Sequence, residues 1–234
     1  MPIIEFPPVD IADEQGLLAI GGDLHHDSLL LAYQSGIFPW PISEEYPLAW
    51  FSPPQRGVIL LENIRFNRSL KKFVKKCNWK ISFNQDFLGV IKECQKVHAK
   101  SNDGTWITDE IIDGYYNFYH QGLAYSVEVK NENGDLIGGL YGVKIGHFLS
   151  GESMFFKETN ASKLALLGIL SILIEEGIPF LDTQMVTPIT ESFGATEIPR
   201  IDFIKAITPL FNKGTLNLPT TSIKASDIAI KLSF

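Results

Sequence analysis

The chain has 234 residues, 45% hydrophobic and 20% charged, with a formal net charge of −7, enough apolar mass for one large core or two modest ones and too much for a disordered or collagen-like chain. Its most apolar run, 164–174, is broken by Gly168 and Ser171 and closed by Glu175 and Glu176, well short of the roughly 18–20 residues that cross a bilayer. The start Met1-Pro2-Ile3-Ile4-Glu5 lacks the basic and then apolar stretch of a secretory signal, and two cysteines with five scattered histidines give neither a disulfide framework nor metal-ligand spacing. The expectation is a cytoplasmic protein with no membrane partner, no metal and no cofactor.

Turns dominate the first 60 residues: Phe6-Pro7-Pro8, Gly21-Gly22-Asp23, Phe38-Pro39-Trp40-Pro41 and Ser52-Pro53-Pro54 punctuate them. One helix fits there, about 28–35, capped by Asp27 and stopped by Gly36. A small irregular N-terminal domain, 1–62, is implied. It holds nine acids and one base, Arg56, for a local charge of −8, while the remainder carries +1. From about residue 57 the pattern becomes regular, beginning with a strand at 57–61. Residues 65–80 then contain Arg65, Arg68, Lys71, Lys72, Lys75, Lys76 and Lys80 with no acid, and Phe66, Leu70, Phe73 and Val74 recur at helical spacing. That describes a helix with one basic face, either simply solvated or set against a phosphate backbone.

A strand at 79–83 and helices near 86–98 and 108–121 follow. The β-rich runs 124–130 and 136–143 flank Asn133-Gly134, a hairpin signal, and 147–153 reads as the third strand of that meander. Asn160 can cap a helix running to Glu176, Gly177 ends it, Pro179 follows and a strand starts at Phe180. Helices, an antiparallel meander, then a helix and a parallel strand make 63–234 an α+β or α/β domain on a mixed sheet.

Four segments carry more chemistry than a core requires. In Gly151-Glu152-Ser153-Met154-Phe155 strand alternation sends Glu152 and Ser153 to opposite faces, so one polar group points inward; an inward carboxylate needs a cation, and a ligand can supply it. A surface glutamate at a strand end is the plainer alternative. Asp182-Thr183-Gln184 directly follows an apolar strand, where ligands of α/β sheets bind. Gly138-Gly139-Leu140-Tyr141-Gly142 permits close approach of a ligand or of another backbone, and a β-bulge explains it about as well. Tyr33, Trp40, Trp50 and Trp106 lie beside glycines and prolines, where flat side chains either stack on unpaired bases or plug the packing. There is no nucleophile elbow and no glycine-rich phosphate loop, so a covalent protein nucleophile is not expected.

In order, these segments resemble one family nearly end to end: the leucyl/phenylalanyl-tRNA–protein transferases. The resemblance is carried by Gly16-Leu17-Leu18-Ala19-Ile20-Gly21-Gly22-Asp23-Leu24, Ala32-Tyr33, Gly36-Ile37-Phe38-Pro39-Trp40, Trp50-Phe51-Ser52-Pro53 with Arg56, Gly104-Thr105-Trp106-Ile107-Thr108, Ser126-Val127-Glu128, Gly138 to Val143, Gly151 to Phe155, Asn160-Ala161-Ser162-Lys163, Asp182-Thr183-Gln184 and Phe193-Gly194-Ala195. The chain departs from the family pattern at Phe51 (usually Trp), near Pro54-Gln55 (usually with an Asp), at Tyr125 (His), Phe156 (Ser) and Thr183 (often Cys).

The resemblance implies a larger part similar to the acyltransferase fold of N-acetyltransferases. It also implies an enzyme that moves Leu or Phe, and less well Met, from aminoacyl-tRNA to proteins with N-terminal Arg or Lys, marking them for N-end-rule degradation; nothing in the sequence suggests an obligate assembly, so a monomer is expected. By analogy Asp182 orients Gln184, Gln184 accepts a hydrogen bond from the attacking amine, and Glu152 meets the cationic N-terminus. Spacing near those residues nominates Leu140, Met154, Ile169, Leu173 and Leu181 for the aminoacyl pocket. Tyr33, Trp40 and Trp106 are nominated for the 3′ adenosine of the tRNA, and Arg65, Arg68, Lys71, Lys72, Lys75 and Lys76 for its phosphates. Two alternatives have a chemical basis: an acyl-CoA-dependent N-acetyltransferase, whose turn at Phe156 to Ala161 lacks the glycines that would hold a pyrophosphate, and a binding module without catalysis that holds basic N-termini.

Overall fold

Two antiparallel-rich sheets of unequal size organise the computed structural model, which describes residues 2–41, 48–99 and 106–232. Gly104 and Thr105 of the motif before Trp106 lie outside the described residues, as do Glu44 and Glu45. The smaller sheet joins β1 (Leu17–Ile20), β3 (Ala49–Phe51) and β2 (Phe38–Pro39) in that order. Between β1 and β2 runs α1 (His26–Gln34), whose N-cap is His25 rather than the expected Asp27: the His25 Nδ1 accepts from the Asp27 N–H at 3.3 Å.

The larger sheet has eight strands, ordered β10 (Ala195–Pro199), β4 (Gln55–Leu60), β9 (Phe180–Gln184), β8 (Phe148–Phe156), β7 (Leu136–Ile145), β6 (Ala124–Lys130), β5 (Lys80–Phe83) and β11 (Ile223–Lys224). Every pairing is antiparallel except β8 with β9, so the sheet is mixed, as expected. A parallel pair needs a crossover, and α5 (Ala161–Glu176) supplies it. Twelve of its residues are buried, and it is apolar all round, as a helix enclosed in a core must be. Because β4 belongs to the large sheet, the two sheets part between Phe51 and Gln55, ahead of position 62. The N-terminal part also shares a core: Leu29, Tyr33 and Trp50 pack in one cluster with Tyr115, Phe118, Phe148 and Phe203.

Local sequence explains most boundaries. Asp86 caps α3 (Phe87–His98) by accepting from Gly89 N–H at 2.9 Å, and Thr108 caps α4 (Asp109–His120) by accepting from Ile111 N–H at 3.2 Å. Gly177 takes the left-handed conformation, φ 63°, that closes α5. Asn160, expected as a side-chain cap, instead adopts φ 74° and makes no capping bond. The basic helix is shorter than 65–80: α2 spans Arg68–Val74, because a tight turn after it buries Cys77 and leads into β5. The glycine run of β7 serves both backbone approach and a bulge, and only Leu140 of the run lines the cavity that opens between β8 and β9. A Cβ on Gly138 would stand 2.5 Å from Ala161, and one on Gly142 would stand 1.8 Å from the Ser150 carbonyl, at a register shift with β8. Beyond β9 the chain continues as α6 (Pro188–Ser192), β10, α7 (Arg200–Phe211), β11 and α8 (Ala225–Lys231), elements the sequence patterns did not mark. Among the described residues no helix is long and apolar enough to cross a membrane.

Candidate active site

β8 and β9 touch at one register pair, Ser150 with Asp182. Past that pair the strands separate, and the opening between Gly151–Met154 and Thr183–Met185 becomes a cavity of about 470 Å³. Its floor is apolar (Leu140, Met154, Leu166 and Leu181), α6 closes one side through Thr187–Thr190, and Trp40 with Trp106 stands at the other. Glu152 and Gln184 project into it, at the carboxyl ends of the parallel pair.

Behind the cavity lies an ion pair with almost no contact with solvent. Arg56 on β4 donates from Nε and Nη2 to the two carboxylate oxygens of Asp182, at 2.8 and 2.7 Å, with the side chains 2% and 0% exposed. The guanidinium is held between the rings of Phe38 and Phe203, 4.5 and 4.6 Å from their centroids. It also donates to the Gly36 carbonyl at 3.4 Å. A bidentate fork of this kind fixes the plane of the carboxylate. Asp182 Oδ1 then accepts the backbone N–H of Gln184 at 3.0 Å, so Asp182 acts on Gln184 through the main chain and not through its amide.

That contact helps hold an unusual turn. Gln184 has φ 55°, and the Met185 N–H bonds to the Thr183 carbonyl at 2.5 Å, making a three-residue turn that side-chain-bearing residues rarely adopt. The turn aims the Gln184 side chain across the gap, where its Nε2 donates to Glu152 Oε1 at 2.8 Å. With the amide nitrogen committed to a carboxylate, the side-chain carbonyl oxygen of this cavity-lining residue is left as an acceptor.

Among the described residues no cation is paired with Glu152, and the Arg56 charge behind it acts only weakly. Ser150 Oγ donates to Glu152 Oε1 at 2.6 Å, and the Tyr115 hydroxyl donates to its Oε2 at 3.4 Å. Tyr115 in turn shares a 2.5 Å hydrogen bond with Tyr33. Part of Glu152 faces the cavity, but its carboxyl group lies under protein on the serine, glutamine and tyrosine sides. That burial, with a smaller contribution from the nearby Asp182 charge, raises its pKa from 4.5 to about 7, although the Ser150 hydrogen bond pulls the other way. Burial also pushes Tyr33 and Tyr115 well above the usual tyrosine range, so both remain neutral hydroxyls.

The residues nominated from sequence separate clearly. Glu152, Asp182 and Gln184 come together, and Leu140, Met154 and Leu181 line the cavity. Ile169 and Leu173 do not: both are 0% exposed inside the core, one and two turns along α5 from Leu166, which is the α5 residue that reaches the cavity. Tyr33 is corrected as well. At 1% exposure, with its hydroxyl tied to Tyr115, it offers no face to a base and belongs to the layer beneath Glu152. Trp40 and Trp106 are half-buried and stack on each other, with centroids 4.8 Å apart and planes 15° apart. Trp50 is a packing plug whose Nε1 donates to the Gly21 carbonyl. Neither Phe51 nor Phe156 lines the cavity.

On the basic segment, Arg65, Arg68, Lys72, Lys75 and Lys76 are exposed and Lys71 is half-buried. Arg65 Nη2 donates to the Glu191 carbonyl at 3.1 Å, which places the start of this segment against α6 and hence beside the cavity wall. Sequence reasoning missed Arg56 as part of the site, although it is the lone base of an acidic segment. It also missed α6, whose Thr187-Pro188 start and Thr190 form a capping box. One group of metal-ligand types meets among the described residues: His25, His26 and Asp27, on the surface at the start of α1. The His25 Nδ1 lone pair there is already used to cap the helix.

Comparison with known proteins gives a consistent result. A model of the leucyl/phenylalanyl-tRNA protein transferase family matches residues 58–208, and a model of that family's N-terminal domain matches residues 22–54. A leucyl/phenylalanyl-tRNA–protein transferase of Flavobacterium johnsoniae is 43% identical over 86% of this chain and 94% of its own length. The protein of the same name from Shewanella pealeana is 43% identical over 97% of this chain and 94% of its own. Among solved structures, that of L-PGS from Bacillus licheniformis aligns with a TM-score of 0.44 and 9% identity, over 81% of this chain and 71% of that one.

Proposed function

This chain belongs to the leucyl/phenylalanyl-tRNA–protein transferase family and is an aminoacyltransferase; on that premise we propose that it moves leucine, phenylalanine and, less well, methionine from aminoacyl-tRNA to the α-amine of proteins beginning with Arg or Lys. The acceptor amine attacks the ester directly, a C–N bond forms, the ester C–O bond breaks, and the ribose hydroxyl leaves with a proton. The reaction takes place in the cytoplasm, the protein acts as a monomer, and the product is marked for N-end-rule degradation. The observation that supports this most is the convergence of Glu152 and Gln184 on one apolar cavity.

The chemistry asks little of the protein beyond placement. An aminoacyl ester is already activated, and an α-amine with a pKa of about 7.7–8.0 is partly neutral near pH 7. Holding the two in attack geometry therefore supplies most of the acceleration. The Gln184 carbonyl oxygen accepts a hydrogen bond from the amine and points its lone pair at the ester. Asp182 and Arg56 stand one layer back and hold the turn that presents Gln184. Glu152 faces the cationic first residue, and a cation arriving there favours its ionised form, so acceptor binding and loss of the Glu152 proton are linked.

The floor of Leu140, Met154, Leu166 and Leu181 receives the amino-acid side chain. An apolar pocket separates one methylene by about 1–3 kcal/mol, so Leu, Phe and Met are accepted unequally, and charged side chains are rejected by desolvation. An outer face of the Trp40–Trp106 stack serves the terminal adenosine, and the acceptor stem runs past α6 toward Arg65, Arg68, Lys71, Lys72, Lys75 and Lys76. The test is incubation with radiolabelled Leu-tRNA and peptides beginning with Arg, Lys or Ala. Label should enter the first two and not the third; equal labelling of all three, or of none, contradicts the reading.

A further inference from the structure

A second, larger cavity of about 750 Å³ lies on the same end of the eight-stranded sheet, between residues 9–14 and the start of α7. Its floor includes Pro54, Pro199 and Ile204. Sheet register relates it to the active site. Gln184 stands opposite Gly57, Gly57 opposite Glu197, and Gln55 opposite Pro199. Two strand spacings lead from Gln184 to Glu197, and Pro199 lies two residues further along β10, so about 12 Å separate Gln184 from this floor. The surface between them carries Met185, 47% exposed, whose backbone crosses over Gly57 where a Cβ would stand 2.4 Å away. Exposed Gln55 comes next. A smaller cavity of about 350 Å³ shares Val9 and Ile204 and extends the groove along residues 4–8.

The groove has a marked chemical character. Ile4, Ile11 and Ile201 around it are 93%, 66% and 64% exposed, while Asp10, Asp13 and Glu14 line the N-terminal side. Segment 1–62 has a single base, Arg56, and that base is buried on Asp182, so none of these carboxylates is offset from within the segment. On the α7 side Arg200, which also bonds the carbonyls of Val9 and Pro53, and Lys205 supply two cations, so with Glu5 of the smaller cavity four acids face two bases and the groove stays net acidic. An RNA backbone is repelled by such a rim. An extended polypeptide with basic and apolar side chains is attracted to it.

We propose that this groove receives the acceptor polypeptide downstream of its reacting residue, so that the enzyme reads the chain as well as its first position. The inference rests on the transferase reading above. At about 3.3 Å per extended residue, about four residues span the gap from Gln184, and acceptor positions of about five to eight occupy the groove. The acidic segment then serves the polypeptide and the basic segment serves the tRNA, keeping the two substrates on opposite sides of the cavity.

The test is steady-state transfer from Leu-tRNA to Arg-initiated peptides: one of three residues, and two of ten that carry Lys or Glu at positions five to eight. The groove predicts a KM about five- to tenfold lower for the Lys ten-mer than for the Glu ten-mer, with similar kcat. Asp10→Asn/Glu14→Gln should erase most of that difference while leaving transfer to the three-residue peptide unchanged, and Ile201→Ser should raise the KM of the Lys ten-mer about threefold. Ten-mers that react alike in the parent enzyme, or a short acceptor weakened as much as the long ones, overturn the groove alone. Failure of every acceptor overturns the transferase reading and the groove with it.

Discussion

Two carboxylates stand on adjacent strands of one sheet and meet opposite treatment. On the β9 side Asp182 is sealed from water and matched by a bidentate guanidinium that is itself clamped between two rings. Across the gap on β8, Glu152 is given hydroxyls and an amide but, among the described residues, no paired cation, and burial lifts its pKa to about 7. The contrast separates a charge that is built into the fold from one that responds to what enters the cavity. The first keeps a strained turn in place, and the second is poised to sense a cationic acceptor.

The contrast can be broken most severely at Arg56. Arg56→Ala strands a buried carboxylate and opens a void between Phe38 and Phe203, and should cost about 3–5 kcal/mol, read as a loss of Tm or of denaturant midpoint. Arg56→Lys keeps the charge without the fork, so it should recover part of the stability but not the parent rate. Next in size, Gln184→Ala should lower single-turnover transfer by about a hundredfold with little change in Tm, since it removes the acceptor and leaves the clamp intact. Transfer within twofold of the parent after Gln184→Ala or Asp182→Ala would remove both residues from the mechanism.

Glu152→Gln sharpens the other half. Above its unfolded pKa of about 4.5 the native state still holds a proton that the unfolded chain has released, so raising the pH toward about 7 costs native stability. The Gln variant lacks that penalty. It should be more stable than the parent at pH 8 by a few degrees in Tm, roughly 2–5 °C, and lose the advantage near pH 4. The smallest effect belongs to the exposed cations. Removing Lys72 and Lys75 should flatten the dependence of log K for tRNA on log salt by about one for each phosphate no longer neutralised. A slope unchanged by the substitutions, or a flat salt response in the parent, would show that α2 does not touch the RNA backbone.

The contrast also explains what could be read from sequence. β-rich composition and the Asn133-Gly134 turn located β6, β7 and β8, and the stop at Gly177 with Pro179 marked the end of α5 and the start of β9. The polar residues Glu152, Asp182 and Gln184 stood out within those strands. Arg56 was hidden because its role depends on a partner 126 positions away, and nothing local marks such a pairing. Ile169 and Leu173 were misplaced because α5 is buried on every side. With no polar face to orient the helix, spacing cannot say which of its leucines and isoleucines meets a cavity. Tyr33 falls inside the helix expected at 28–35, but only the packing of α1 against α4 shows that its ring lies under the site and not against a base. After Gln184, α6, β10, β11 and α8 are only two to seven residues long, and Pro209 interrupts the otherwise regular pattern of α7.

The most direct test is an NMR titration of the Glu152 carboxyl carbon, followed with and without an Arg-initiated peptide. The site predicts a midpoint near 7 in the free protein and a clear downward shift when the peptide is bound. A midpoint in the ordinary carboxylate range, or one the peptide leaves unmoved, would contradict the assignment of Glu152 as the adjustable charge that faces the acceptor.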